Sequence, residues 1–343
     1  TMSSFMRFSI CATYCTLSDD SKVNVFFIEE PESHMHPQMQ NVFIRFLTKY
    51  YTEKKLQGLI TTHSNEIARS VGLNSLRVIR QTEKSKSELF NLSKFRKSIE
   101  NKKVKNVDKE SEFLLQNFFD WFFEIGYSEL IFADKVILYE GDTERLYIRK
   151  LLGMTEFASL RDNYIAFIQV GGAYAHNYLE ILTMLKMKSL IITDLDYNKD
   201  ATTFEIAKNS TSTNATINHC YRLIYPEKGA AYLPSIKEIY EMQTEKGTVI
   251  CNDLICVAYQ DENSTARTLE EAMLNKFLSK NVFDKTKRSE WKSIRKNNNL
   301  TFTIPNNRND ETDSEFSIRQ IVAASSNNKT DFMYSVVLSG NEE

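Results

Sequence analysis

Two stretches of this sequence place acids where an apolar run stops. Lys135 to Tyr139 (KVILY) is followed by Glu140-Gly141-Asp142-Thr143-Glu144, and Ser189 to Thr193 (SLIIT) by Asp194-Leu195-Asp196. Short apolar runs bounded in this way predict buried strands. Asp142-Thr143-Glu144 then open a helix, with Leu146, Ile148, Leu151 and Leu152 roughly on one face. In an open α/β sheet, ligands sit outside the carboxyl ends of the strands. Asp194 and Asp196, two residues apart, point the same way off an extended backbone. Glu140, Asp194 and Asp196 can therefore converge on one divalent ion, and such acids repel one another in a poorly solvated cleft unless a cation neutralises them. Oxygen-only ligands suit Mg²⁺ or Mn²⁺. A lone D-x-D is equally an ordinary pair of surface acids; the ordered set from Glu140 to Asp196 is more specific.

A second constellation lies upstream. VNVFFIEEPESHMHP (23–37) is a strand ending in Glu29 and Glu30, and GLITTHSNEI (58–67) is a strand ending at His63. In-line phosphoryl transfer needs a metal carboxylate, an oriented water and polar groups near the leaving charge. Together the two segments resemble the nucleotide-binding domain of ATP-binding-cassette proteins of the Rad50, RecF and SMC type. The resemblance implies that Glu29 helps hold Mg²⁺, that Glu30 polarises the attacking water and that His63 senses the γ-phosphate of ATP. Two departures stand out. Glu29 replaces the usual aspartate, and no Gly-Lys dipeptide of a phosphate loop occurs among the ten glycines. Ser3 to Arg7 sit where a degenerate signature motif would lie. The chain, which starts at Thr1 rather than Met, thus reads as beginning midway through an ATPase domain.

The pattern strand-EG-x-x-E, then QVGG (169–172), then strand-D-x-D resembles a Toprim domain. Preceded by an ATPase segment, it resembles the OLD (overcoming lysogenization defect) family of nucleases over nearly the whole chain, most specifically over 23–67 and 132–198. That resemblance implies a two-metal active site in which Glu140 and Asp194 hold one ion with Asp196 close by, and Glu144 helps hold the second. RTLEEAML (267–274) nominates Glu270 as a further ligand, with Glu271 the alternative one residue on. NNKTDFMYSVV (327–337) nominates Lys329 as the active-site lysine. Gly171 and Gly172 let a turn pass close to a phosphate or are an ordinary turn, and His176 reads as a helix-surface histidine before a general base.

These residues require a frame of alternating strands and helices, a parallel α/β layer. The chain divides into 1–80, the later part of an ATPase domain, with strands at 23–28 and 58–62 and a helix at 38–53; 81–127, a lysine-rich connector and an aromatic helical segment (Phe118 to Phe123); and 128–343, a Toprim domain with a helical extension and strands at 135–139, 164–170 and 189–193. Thr202 to Ala215 and Asn297 to Asp313 read as loops. A length of 343 residues suits two cores. No run reaches a membrane-spanning length, and five scattered cysteines with no Cys-x-x-Cys predict neither a disulfide nor a zinc site and fit a reducing cytoplasm.

With a net charge of −2, any nucleic-acid contact must be local. KTKRSEWKSIRKNNN (285–299), basic around Trp291, and Lys84 to Lys105 are either phosphate-binding faces or solvated helix surfaces. The expectation is a cytoplasmic, Mg²⁺- or Mn²⁺-dependent DNA endonuclease with an ATP-binding module. From the resemblance alone come an anti-phage role, homo-oligomerisation through the ATPase domains and a helicase or sensor partner. The alternative is a non-cleaving DNA-binding or recombination-mediator scaffold. Topoisomerase lacks an identifiable nucleophilic-tyrosine domain, and primase a zinc module before the Toprim unit.

Overall fold

The structure, a computed structural model, describes residues 25–54, 56–103, 127–171, 174–243, 248–306 and 313–339. The chain forms two compact units, Thr1–Ala133 and Asp134–Glu343.

In the first unit, β1 (Val25–Glu29) and β2 (Gln57–Thr61) pair in parallel, with Glu29 opposite Thr61. Helix α1 (Pro37–Lys54) joins them and buries Phe43, Ile44 and Leu47, a one-sided stripe at helical spacing. Proline at its first position costs nothing, because that N–H would lack a helical partner. Gly58 lies opposite Phe26, and a Cβ there would stand 2.1 Å from the Phe26 ring, which itself stacks on Tyr51 at 4.0 Å. The close approach of α1 to the strand pair thus depends on that glycine. Helix α2 (Asn65–Val71) is capped by Ser64 and adds Ile67 to the core. Strands β1 and β2 and helix α1 match the expected elements to within a few residues.

The expected connector contains regular structure. Strands β3 (Arg77–Glu83) and β4 (Lys86–Asn91) form an antiparallel hairpin, and α3 (Leu92–Lys103) follows directly. Its inward residues Val78 and Phe90 are register partners and buried, while the lysines lie outside them. The charges masked the alternation. Lys105 and Phe118 to Phe123 fall outside the described residues, as do Cys11, Cys15 and the segment Ser3 to Arg7.

The second unit is built on a five-stranded sheet ordered β6-β5-β7-β9-β8. The strands are β5 (Lys135–Tyr139), β6 (Ile165–Gln169), β7 (Lys188–Ile192), β8 (Thr248–Asn252) and β9 (Ile255–Ala258). All pairings are parallel except that of the edge strand β8 with β9. Helices α4 (Asp142–Leu152) and α5 (Leu179–Met184) fall between the first three strands. The segment 202–215 is not all loop: Thr203 caps a short helix, α6 (Phe204–Asn209), which buries Ala207. Helix α7 (Ala215–Ile224) follows it, and α8 (Ile236–Glu241) begins with a Ser235–Glu238 capping box.

Cys220 on α7 and Cys251 on β8 are joined as a disulfide, with Cα atoms 5.8 Å apart, contrary to the expectation of no disulfide. The two are separated by 31 residues and meet because α7 packs on β8, which spacing along the chain cannot reveal. Cys256 is a free thiol.

Beyond the sheet, α9 (Leu269–Leu278), β10 (Thr286–Lys287), α10 (Arg288–Asn297), β11 (Glu315–Phe316), α11 (Ile318–Ala324) and α12 (Lys329–Leu338) gather around their own core of Leu274, Trp291, Phe302, Ile321 and Phe332. Trp291 is fully buried and its indole N–H donates to the Phe316 carbonyl, while Arg288 is buried with its guanidinium on the Pro305 carbonyl. Neither is available to a nucleic acid, so a phosphate-binding face on 285–299 would lack Arg288 and Trp291. Lys292, Arg295 and Lys296 remain on the exposed face. Helix α12 packs against α4, which brings the end of the chain to the start of the sheet.

Candidate functional site

The carboxyl ends of three adjacent strands set the site. Tyr139 of β5 is in register with Ile192 of β7, and Ile192 with Ala258 of β9. Each strand runs on for one or two residues, so Glu140, Thr193-Asp194 and Gln260 emerge side by side. The Thr193 hydroxyl donates to Glu140 Oε1 in a very short hydrogen bond, and the Asp194 N–H reaches the same oxygen at 3.4 Å. Gln260 donates to Asp194 Oδ1 at 2.7 Å and accepts from the Leu195 N–H at 2.7 Å. The N–H of Leu269, at the first turn of α9, adds a second bond to Asp194 Oδ1 at 2.9 Å. A carboxylate at a helix N-terminus is favoured by the unpaired N–H groups there.

After Asp194 the backbone turns sharply. Asp196 adopts a left-handed conformation, φ 51°, and its carbonyl accepts from both the N–H and the hydroxyl of Thr213. Its side chain meets Arg267 at 3.4 Å. Asp194 and Asp196 are therefore not two steps of one strand, as the alternation argument assumed. They are brought to the same cleft by a turn.

Glu144 is buried on the first turn of α4 and reaches back to the Gly141 N–H at 2.9 Å, so one of its oxygens caps the helix. Glu270 and Glu271 diverge. Glu270, 4% exposed at its side chain, pairs with Lys329 at 3.1 Å. Glu271 turns to the Arg267 N–H at 2.8 Å and faces Arg319, whose guanidinium also holds the carbonyls of Asn198, Lys199 and Ala201. Glu270 thus faces the cleft, and Glu271 braces the turn after Asp196.

Electrostatics tie these groups together. Burial, then Glu270, Glu144, Asp196 and Glu140 in turn, push the Asp194 carboxyl well above the usual aspartate range. Burial raises Glu140 as well, opposed by the Thr193 hydrogen bond and reinforced by Asp196. Asp196 is raised by burial and partly relieved by Arg267 and Lys329. Burial works against the charge on Lys329, but Glu270, Asp194 and Glu144 outweigh it and hold the ammonium above its ordinary value. Glu140, Glu144, Asp194, Asp196, Glu270 and Lys329, from four regions of the sequence, thus share one field. Among the described residues, no three His, Cys, Asp or Glu side chains already stand around a single point at metal-ligand spacing. The donor chemistry nevertheless fits a hard divalent cation: oxygen ligands only, with less positive than negative charge in the cleft.

Of the neighbouring candidates, Gly171 has φ 55°, in the region that favours glycine, and Gly172 lies outside the described residues. His176 is half-buried and stacks on His219 at 5.5 Å, rather than lying free on a helix surface. Thr193, Asn214, Gln260 and Arg267 escaped the sequence reading. Their types are common, and only strand register and a returning helix bring them to the acids.

In the first unit, the parallel pairing sets Glu30 next to His63, with Nε2 to Oε1 at 3.3 Å. Glu30 has φ 39° and its N–H donates to the Thr61 carbonyl, so the chain leaves β1 in a tight turn. Glu29 is exposed at the strand end. Glu32, not singled out in the sequence, is buried and accepts from the Thr62 hydroxyl and the His63 N–H, clamping the two strand ends together.

Residues 131–196 match the family model described as "Overcoming lysogenization defect protein-like, TOPRIM domain", and residues 2–68 match one described as "AAA ATPase domain". The chain is 31% identical over 199 residues to "Endonuclease GajA" of Bacillus cereus strain HuB5-5, covering 53% of this chain and 28% of that protein. It is 29% identical over 140 residues to "OLD nuclease" of Thermus scotoductus, covering 39% of this chain and 24% of that protein. The chain thus spans about a quarter of the length of these relatives. A solved structure, the C-terminal region of the Xanthomonas campestris pv. campestris OLD protein, aligns over 62% of this chain and 86% of that one, at 16% identity and a TM-score of 0.32. The mixed α/β architecture is that of an ATPase segment followed by a Toprim domain. In sum of sequence and fold, the chain carries a Toprim domain of the OLD type behind AAA-ATPase-type sequence, and is homologous to Gabija endonuclease GajA and OLD nuclease.

Proposed function

We propose that the chain is the ATPase-to-Toprim part of a divalent-metal-dependent DNA endonuclease. The observation that carries this reading is the gathering of Glu140, Asp194, Asp196, Glu144 and Glu270 with Lys329 in one electrostatically coupled cleft at the strand ends. Glu140, Asp194 and Asp196 would hold one cation, Mg²⁺ or Mn²⁺, and Glu144 with Glu270 a second. Such ions supply a nucleophilic water and stabilise the leaving oxygen. Lys329 is held ready by Glu270 to offset charge on the scissile phosphate. Gln260 and the Leu269 N–H occupy Asp194 Oδ1, which orients its other oxygen.

On the same reading, Glu29, Glu30 and His63 belong to an ATP site, and ATP regulates cleavage. We divide the chain functionally into 1–80, 81–127 and 128–343, although β3 crosses the first of these boundaries and the compact units part at 133/134. The exposed Lys292, Arg295 and Lys296 of α10 add a phosphate-binding face. Homo-oligomerisation through the ATPase domains, a helicase or sensor partner and a role in anti-phage defence complete the proposal; a cytoplasmic location no longer draws support from the cysteines, two of which are paired. No helix among the described residues is long and apolar enough to cross a membrane.

Supercoiled plasmid incubated with the protein in Mg²⁺, Mn²⁺ or EDTA tests the reading. Nicked or linear product that disappears in EDTA and in Glu140→Ala or Asp196→Ala supports it. The second reading is a DNA-binding scaffold that does not cleave. Metal-independent retention of intact plasmid would decide for it.

A further inference from the structure

Asn214 is fully buried and stands immediately before α7. Its Oδ1 accepts the N–H groups of Thr216 at 3.0 Å and Ile217 at 3.1 Å, two donors that the first helical turn leaves unpaired. These two bonds determine which way the amide faces, because the oxygen is committed to the helix. Nδ2 therefore points at the strand ends, where it lies 3.2 Å from Glu140 Oε1, 2.6 Å from Thr193 Oγ1 and 2.8 Å from the Asp194 carbonyl. Thr193 donates its own hydroxyl hydrogen bond to the same Glu140 oxygen. One side chain thus joins a helix N-terminus to both β5 and β7 at the residues that carry the acids, and Glu140 Oε1 is held on its inner side by several donors.

We propose that Asn214 is a positioning residue for the metal centre: with Thr193 it sets the angle at which Glu140 and Asp194 present their remaining oxygens to a divalent cation. This inference rests on the nuclease reading and deepens it. Side chains that hold metal ligands in place typically contribute about ten- to a hundredfold to metal affinity.

The rival role is that of a plain helix cap, and Asn214→Asp separates the two. Aspartate has the same shape and caps helices as well as asparagine does. It leaves the cap intact while replacing the donor that faces Glu140 with an acceptor. An added negative charge by itself would tighten cation binding, so the sign of the change reports position. The measurement is a Mn²⁺ titration, read by the EPR signal of the free ion, alongside a thermal melt. A positioning role predicts Mn²⁺ binding weaker by about tenfold or more, in a protein that still melts cooperatively but at a lower temperature without metal, because the new carboxylate joins the acids around Glu140. Binding as tight as the parent's, or tighter, overturns the proposal. Should Asn214→Asp fail to fold, Thr193→Val breaks the same chain of bonds at its other end and should weaken Mn²⁺ comparably, while Thr193→Ser, which keeps the hydroxyl, should restore it. A Thr193→Val protein with unchanged Mn²⁺ affinity would equally overturn the proposal. Failure of the parent protein itself to bind Mn²⁺ or cut plasmid would sink the nuclease reading, and this inference with it. A parent that does both beside an unaffected Asn214→Asp variant sinks the positioning role alone.

Discussion

Asp194→Asn should stabilise the metal-free protein while abolishing its response to metal, the opposite of what most substitutions of a partly buried, hydrogen-bonded residue do. The two bonds to Asp194 Oδ1, from Gln260 at 2.7 Å and Leu269 N–H at 2.9 Å, can both be accepted by an asparagine carbonyl oxygen. What the substitution removes is a carboxylate that burial and four neighbouring acids already disfavour. For a carboxyl group raised in the folded state, folding is most favourable below the unfolded-state pKa and loses that advantage as pH climbs through the raised folded-state value. The benefit of Asp194→Asn should therefore be absent near pH 4 and grow toward pH 7. A tenfold bias toward the protonated carboxyl costs the carboxylate about 1.4 kcal/mol once the pH exceeds its raised pKa. In a domain of this size, relief of about 1.4 kcal/mol would raise the melting temperature by roughly 3–6 °C. The assay is a set of thermal melts of both proteins between pH 4 and 7.5, with EDTA and with Mn²⁺. Mn²⁺ should raise the parent's melting temperature and leave the variant's nearly unchanged. A variant less stable than the parent at pH 7, by an amount independent of pH, would refute the idea that these acids are in electrostatic conflict.

Other outcomes follow from the same geometry. Lys329→Met leaves Glu270 buried without its partner; after discounting for the lysine's 39% exposure, the loss is about 1–2 kcal/mol, and added Mg²⁺ should recover part of it in a denaturant melt. Trp291→Ala should cost about 3–5 kcal/mol by opening the helical core, and hydrogen exchange should then show α12 and its Lys329 loosened while β5 and β7 stay protected. The Cys220–Cys251 bond closes 31 residues of chain, so reduction or Cys251→Ser should lower stability by roughly 3–4 kcal/mol; alkylation followed by intact-mass measurement before and after reductant checks that the bond is present. Replacing Lys292, Arg295 and Lys296 together by glutamate should weaken duplex DNA binding and flatten its dependence on salt, measured by fluorescence anisotropy over a range of NaCl.

Much of the frame is local and can be read along the chain. The apolar runs at 135–139 and 188–192 are strands because their consecutive β-branched and leucine side chains suit a sheet covered on both faces, and acids that follow such strands emerge at the sheet's carboxyl edge whatever the rest of the fold does. The helix starts are equally local, since caps such as Ser64 and Ser317 lie beside the N–H groups they satisfy. Composition misled where charge obscured period, as in the lysine-studded hairpin 77–91, or where polar residues hid a short helix, as at 204–209. Only tertiary structure decided that Glu270 rather than Glu271 meets Lys329, that Asn214 returns to Glu140, that Asp196 reaches the cleft through a left-handed turn, and that Cys220 lies against Cys251. Each of these depends on strand register or helix packing between residues far apart in the chain. Such pairings are chosen by the burial of many other side chains at once, so no residue's type or spacing announces them in advance.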